Sequence, residues 1–136
     1  MNPQRKARLA YRATTLFTRL PWPLLRGVAQ ALAWAWIRLN ARESRVTRRN
    51  LELAYPDLDP VARERLHRDL LRSTALQAIE TLRLWSRPPA ENLRLHLKQR
   101  HGEALYDAAL ASGRGVIVAA PHFGNWELLN QWLASR

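Results

Sequence analysis

The run PHFGNWE holds two side chains with complementary acid–base chemistry, His122 and Glu127. On an ideal helix five residues turn through about 140°, so the two would not share a face. His122 is therefore expected in a loop that folds back, with Glu127 in the first turn of the helix that follows. A carboxylate on one ring nitrogen fixes the imidazole's tautomer and orientation and raises the basicity of the other nitrogen. Such an imidazole can remove the proton from a hydroxyl as it attacks an acyl carbonyl. N–H groups at the helix start, around Gly124 and Asn125, could stabilise the developing oxyanion. Structural readings stand beside this one. Glu127 would complement a helix dipole, and His122 could cap the same helix; on spacing alone these outweigh the chemistry. The nearest serines, Ser112 and Ser135, stand in no nucleophile-elbow sequence, so direct transfer is preferred over an acyl-enzyme. No metal site is expected, since one His and one Glu are too few ligands, HExxH is absent and there is no cysteine.

These residues need elements to hold them. VIVAA, residues 116 to 120, is continuously apolar, which predicts a parallel strand covered on both faces. Ligand sites in open α/β sheets lie beyond the carboxyl ends of strands. Pro121 would end the ladder there, and Asn125 would cap a helix apolar at Leu128, Leu129, Trp132 and Leu133. NLRLHLK, residues 92 to 98, alternates apolar and polar and predicts a short strand with His96 on its polar side. Between the two strands, GEALYDAALASGRG predicts a short helix closed by Gly113. Upstream, Asp59 and Pro60 read as N-cap and first helical residue of a long helix to about Trp85, with Leu66, Leu70, Leu71, Ala75, Ala78, Ile79 and Leu82 on its apolar stripe. The expected fold class is therefore α/β. A helical N-terminal region precedes the first strands and helices of an α/β domain, and the chain ends about three turns into its last helix. That ending predicts the N-terminal part of a longer protein, or a truncated frame.

The formal charge of +11 is unevenly placed. Residues 1–50 hold eleven Lys and Arg and a single acid, Glu43. Such a block attracts phosphate-bearing surfaces, whether nucleic acid or membrane. Trp22, Trp34 and Trp36 lie in the same third, and Trp favours the water–lipid boundary. No cleavable signal peptide is recognised in residues 1 to 20. The apolar run from Gly27 to Ile37 is too short to span a bilayer. An interfacial helix is expected, which divides the chain into a basic, Trp-rich membrane-associated segment at 1–40 and an α/β domain at 41–136.

The run GRGVIVAAPHFGNWELL resembles the catalytic segment of bacterial lipid A biosynthesis acyltransferases, the lauroyl/myristoyl group of the lysophospholipid acyltransferase superfamily. RVTRRNLELAYPDL is similar to that family's Arg…Asn-Leu…Pro segment, at Arg45, Asn50, Leu51 and Pro56. Glu80 and Trp85 fall where its long helix carries an acid and an aromatic. The resemblance covers nearly the whole chain and implies an O-acyltransferase of the cytoplasmic face of the bacterial inner membrane. It would move a fatty acyl group from acyl carrier protein or acyl-CoA to a hydroxyl of an anionic glycolipid, a lipid A precursor, in lipopolysaccharide biosynthesis. By the same resemblance His122 is the general base, Glu127 orients it, and neither cofactor nor metal is required. Family members are roughly twice this length. The alternatives are acylation of another glycolipid or phospholipid, such as a mannosylated phosphoinositide, or an inactive membrane-associated fragment. More distant is an arginine-rich nucleic-acid-binding module, which no base-reading motif accompanies, so no nucleic-acid partner is expected.

Overall fold

The computed structural model describes residues 2–121 and 124–136. The chain divides into two compact units, Met1–Ser86 and Arg87–Arg136. Helix accounts for 73% of the structure, and no strand occurs among the described residues.

The first unit holds α1 (Pro3–Thr18), α2 (Trp22–Arg38), α3 (Arg42–Ala54) and α4 (Pro60–Trp85). Local chemistry sets their starts. The Asn2 side chain accepts a hydrogen bond from the Gln4 N–H at 3.1 Å, and Asp59 accepts from the Ala62 N–H at 2.9 Å. Each cap satisfies an N–H that has no partner within its helix. Proline occupies the first turn of α1, α2 and α4, where its missing N–H does no harm. The turn between α3 and α4 is held from the next helix: Arg63 Nη2 donates to the carbonyls of Tyr55, Pro56 and Leu58 at 3.1, 2.7 and 2.9 Å.

The core of this unit lies mainly between α2 and α4. Leu25, Ala29 and Ala33 form one row spaced by four, and Leu71, Ala75 and Ile79 form another. Residues four apart make a ridge on a helix surface. The alanines in each row keep the ridges low enough for close approach. Phe17, Trp22, Leu32, Trp36, Ile37 and Leu76 pack around them. Thr18 Oγ1 and Ser86 Oγ, 2.6 Å apart, join the end of α1 to the end of α4. Leu71 is fully buried, so Leu71→Ala should destabilise this unit by about 2–5 kcal/mol. Thermal or urea unfolding checks this, and a change below about 0.5 kcal/mol would show that the site is not packed as described.

The second unit holds α5 (Pro89–His96), α6 (Glu103–Ala111) and α7 (Trp126–Leu133). The expected α/β fold class is corrected here. Residues 92–98, predicted as a strand, belong mostly to α5. Pro89 opens this helix, Glu91 sits in its first turn, and Arg94 and His96 sit in its last. Those placements complement the helix dipole and prevail over a period-two pattern only seven residues long. Residues 116–120, predicted as a doubly covered parallel strand, carry no regular secondary structure. Ile117 is 99% exposed. A strand exists only through ladder hydrogen bonds to a neighbour, and no neighbour is found among the described residues. The helices expected after residue 102 and after Asn125 are present.

Candidate functional site

The candidate site lies in the second unit, where 116–121 leads into α7. His122 falls outside the described residues. Glu127 occupies the first turn of α7 and is partly buried. Asn125 takes the N-cap position of that helix, as expected, with φ −94° and ψ 80°. Its side chain makes no capping hydrogen bond to the helix among the described residues. Gly124 has φ 66°, a left-handed conformation that a residue with a Cβ adopts only under strain. The segment is thus set by a glycine that turns the chain and an asparagine at which the helix begins.

Several contacts fix α7 within its unit. The rings of Tyr106 and Trp132 lie 5.2 Å apart, centroid to centroid, joining α6 to α7. Beyond the end of α7, Arg136 pairs with Glu103 at 2.8 Å and with Asp107. Asn92 of α5 donates from Nδ2 to Gln131 Oε1 at 2.9 Å. Beside these contacts lies a cleft of about 440 Å³. Leu97, Val118, Leu128, Leu129 and Leu133 make much of its wall, Arg100, His101 and Glu103 add charged and polar groups, and Asn125 stands on its lining. Mainly apolar walls with a few polar groups characterise small-molecule and lipid-tail sites.

A second constellation, unforeseen in the sequence, lies in the first unit. Ser44 and His67 are both fully buried. His67 Nε2 is 3.0 Å from Ser44 Oγ and 3.2 Å from the Ser44 carbonyl oxygen, and Nδ1 faces Glu64 Oε2 at 3.5 Å. A serine, a histidine and a carboxylate in series have the composition of a nucleophilic triad. Ser44 has no exposed surface, so no carbonyl carbon can reach it. The contacts of His67 Nε2 with Ser44 instead tie α3 to α4. Glu64 is also held by Arg68 at 2.9 Å and Arg48 at 3.0 Å. The Arg68 hydrogen bond, assisted by the charges of Arg48 and His67, keeps its carboxyl below the usual range although burial opposes this. The available signal was position: His67 and Leu71 are four apart and so share the buried stripe of α4.

Arginines expected to meet phosphate are partly engaged within the fold. Arg48 pairs with Glu64, Arg49 with Glu52 at 3.2 Å, and Arg45 donates to the Asn40 carbonyl at 2.6 Å. Of the three early tryptophans, Trp22 and Trp36 pack against the core, whereas Trp34 is 64% exposed with Arg38 5.8 Å over its ring. No described helix is long and apolar enough to cross a membrane. Among the described residues no three His, Asp or Glu come together as metal ligands.

The family profile of bacterial lipid A biosynthesis acyltransferases matches residues 7–136, which include both His122 and Glu127. The chain belongs to this family. A lipid A biosynthesis acyltransferase of Haemophilus influenzae is 38% identical over 68 residues, covering 48% of this chain and 22% of that protein. A phosphatidylinositol mannoside acyltransferase of Mycobacterium tuberculosis is 53% identical over 30 residues, covering 22% of this chain and 10% of that protein. These matches to lipid A acyltransferases and their relatives therefore span less than a quarter of each relative's length. No solved structure matches.

Proposed function

We propose that the protein is an O-acyltransferase that moves a fatty acyl group from a thioester donor, acyl carrier protein or acyl-CoA, to a hydroxyl of a lipid A precursor. His122 takes the proton of the acceptor hydroxyl as its oxygen attacks the acyl carbonyl. N–H groups at the start of α7, near Gly124 and Asn125, stabilise the oxyanion. Collapse of the tetrahedral intermediate breaks the carbon–sulfur bond, and His122 returns the proton to the departing thiolate. Glu127 holds the imidazole through its second nitrogen. One observation carries this reading: the apolar cleft, sized for part of an acyl chain, shares Asn125 with the segment that bears the dyad.

The test is transfer of a radiolabelled acyl chain from acyl carrier protein or from acyl-CoA, each offered with a lipid A precursor or a mannosylated phosphoinositide. Label is expected in the lipid A precursor. Label in the mannosylated lipid alone would favour the second reading, which the Mycobacterium relative's similarity supports. Label in neither would contradict the proposal.

The reading places the protein on the cytoplasmic leaflet of the inner membrane. Leu24, Val28 and Trp34 are exposed along α2, and Leu9, Tyr11 and Leu16 along α1, among the arginines of both helices. Exposed apolar side chains among arginines suit shallow insertion among anionic headgroups. Deleting residues 1–40 would remove Leu25, Ala29 and Ala33 from the core, so surface substitution is the cleaner test. Leu24→Ser, Val28→Ser and Trp34→Ser together should reduce sedimentation with anionic vesicles at least about tenfold, since each buried apolar side chain is worth roughly 1–3 kcal/mol. Unchanged sedimentation would contradict the membrane assignment.

A further inference from the structure

The geometry points to Asn92 and Gln131 as positioning residues for the candidate acyl-transfer site. Asn92 is completely buried on α5, and its Nδ2 donates to Gln131 Oε1 on α7 at 2.9 Å. Gln131 follows Glu127 by four residues on the same helix. Residues four apart stand on one face, one turn above the other. Whatever fixes Gln131 therefore fixes the rotation and height of α7 at Glu127. Such a device is needed because α7 has only eight residues, too few to hold its own position without tertiary contacts. The Tyr106–Trp132 ring contact permits sliding and small rotations, and the Arg136 pairs with Glu103 and Asp107 hold the chain beyond the helix's end, whereas Asn92–Gln131 is a directional hydrogen bond to a side chain within α7. A buried amide is also an unforgiving anchor, because losing the Gln131 oxygen takes an acceptor from a desolvated donor. α5 thus acts as a backstop through which Glu127 is aimed. The inference rests on the proposed His122–Glu127 dyad and adds to it the pair that sets the angle of the carboxylate.

The test reads the tautomer of His122 from its imidazole nitrogen shifts in the ¹⁵N-labelled full chain, beside the unfolding midpoint. The variant is Asn92→Leu with Gln131→Leu, which replaces both partners by apolar groups so that neither amide is left without the other. The native chain should show one tautomer. Glu127→Gln should show a mixture, and the double leucine variant should show a mixture below its unfolding midpoint. In acyl transfer, the double variant should lower kcat roughly ten- to hundred-fold with KM little changed, as for a misplaced reacting group. Adding the leucines to Glu127→Gln should cost little more, because their effect runs through that carboxylate. A single native-like tautomer in the double leucine variant, alongside a mixture in Glu127→Gln, would overturn the positioning role and leave the dyad standing. A single tautomer in Glu127→Gln would overturn the dyad and this inference with it. If the leucines lowered kcat equally in the native chain and in the Glu127→Gln variant, the pair would be structural only. Asn92→Ala, which leaves Gln131 intact, is the second variant should the leucines disturb the fold, and it too should give a mixture.

Discussion

His122→Ala should abolish acyl transfer in the intact enzyme while leaving expression and helix content unchanged. General-base catalysis contributes about 10² to 10⁴ in rate. The loss should lie within that range, although His101 also lines the cleft. The effect should fall on kcat, because the base interacts with the acceptor proton only as the transition state forms. The proposed acyl-chain cleft has apolar walls such as Leu128, Leu129 and Leu133, which the substitution leaves in place. The buried His67 cannot substitute, since it has no exposed surface. Turnover within a factor of about two of the native enzyme would remove His122 from the mechanism.

Glu127→Gln should also reduce kcat severely, by roughly 10² to 10⁴-fold. The amide is nearly isosteric, so α7 should keep its place. The change removes a negative charge from the helix's first turn, worth only about 0.3–1 kcal/mol of stability. Lost activity with nearly retained stability therefore separates the two roles open to this residue. A carboxylate that merely complements the helix dipole would show a small fall in melting temperature and a normal rate. One that orients the imidazole would show the same small fall with a severely reduced rate.

Some of this architecture was legible in the residue order. The pair Asp59–Pro60 states a cap and a first helical turn, and α4 begins there. Its end at Trp85, shortly before Pro88 and Pro89, was equally explicit. Glu127 and Asn125 occupy the helix positions that their types and the downstream leucines demand. The sheet was not legible correctly, because a strand is a property of two segments and a single apolar run such as 116–120 cannot supply its own partner. Period-two alternation over 92–98 misled for a related reason. The two prolines that open α5 and the charges at its ends weigh more than a short alternation. The tryptophans show how composition can overreach: Trp22 and Trp36 serve the core, and only Trp34 of the three remains well exposed. Ser44 with His67 was missed because nothing in their spacing joins them. Only the packing of α3 on α4 does.

The central claim is that His122, held by Glu127, deprotonates the acceptor. The most direct test is an experimental structure of the intact enzyme with an acceptor-lipid analogue bound. The account predicts an acceptor hydroxyl within about 2.6–3.2 Å of one ring nitrogen of His122, with the other nitrogen hydrogen-bonded to Glu127. An acceptor bound far from His122, or a His122 ring turned away from Glu127 in that complex, would contradict it.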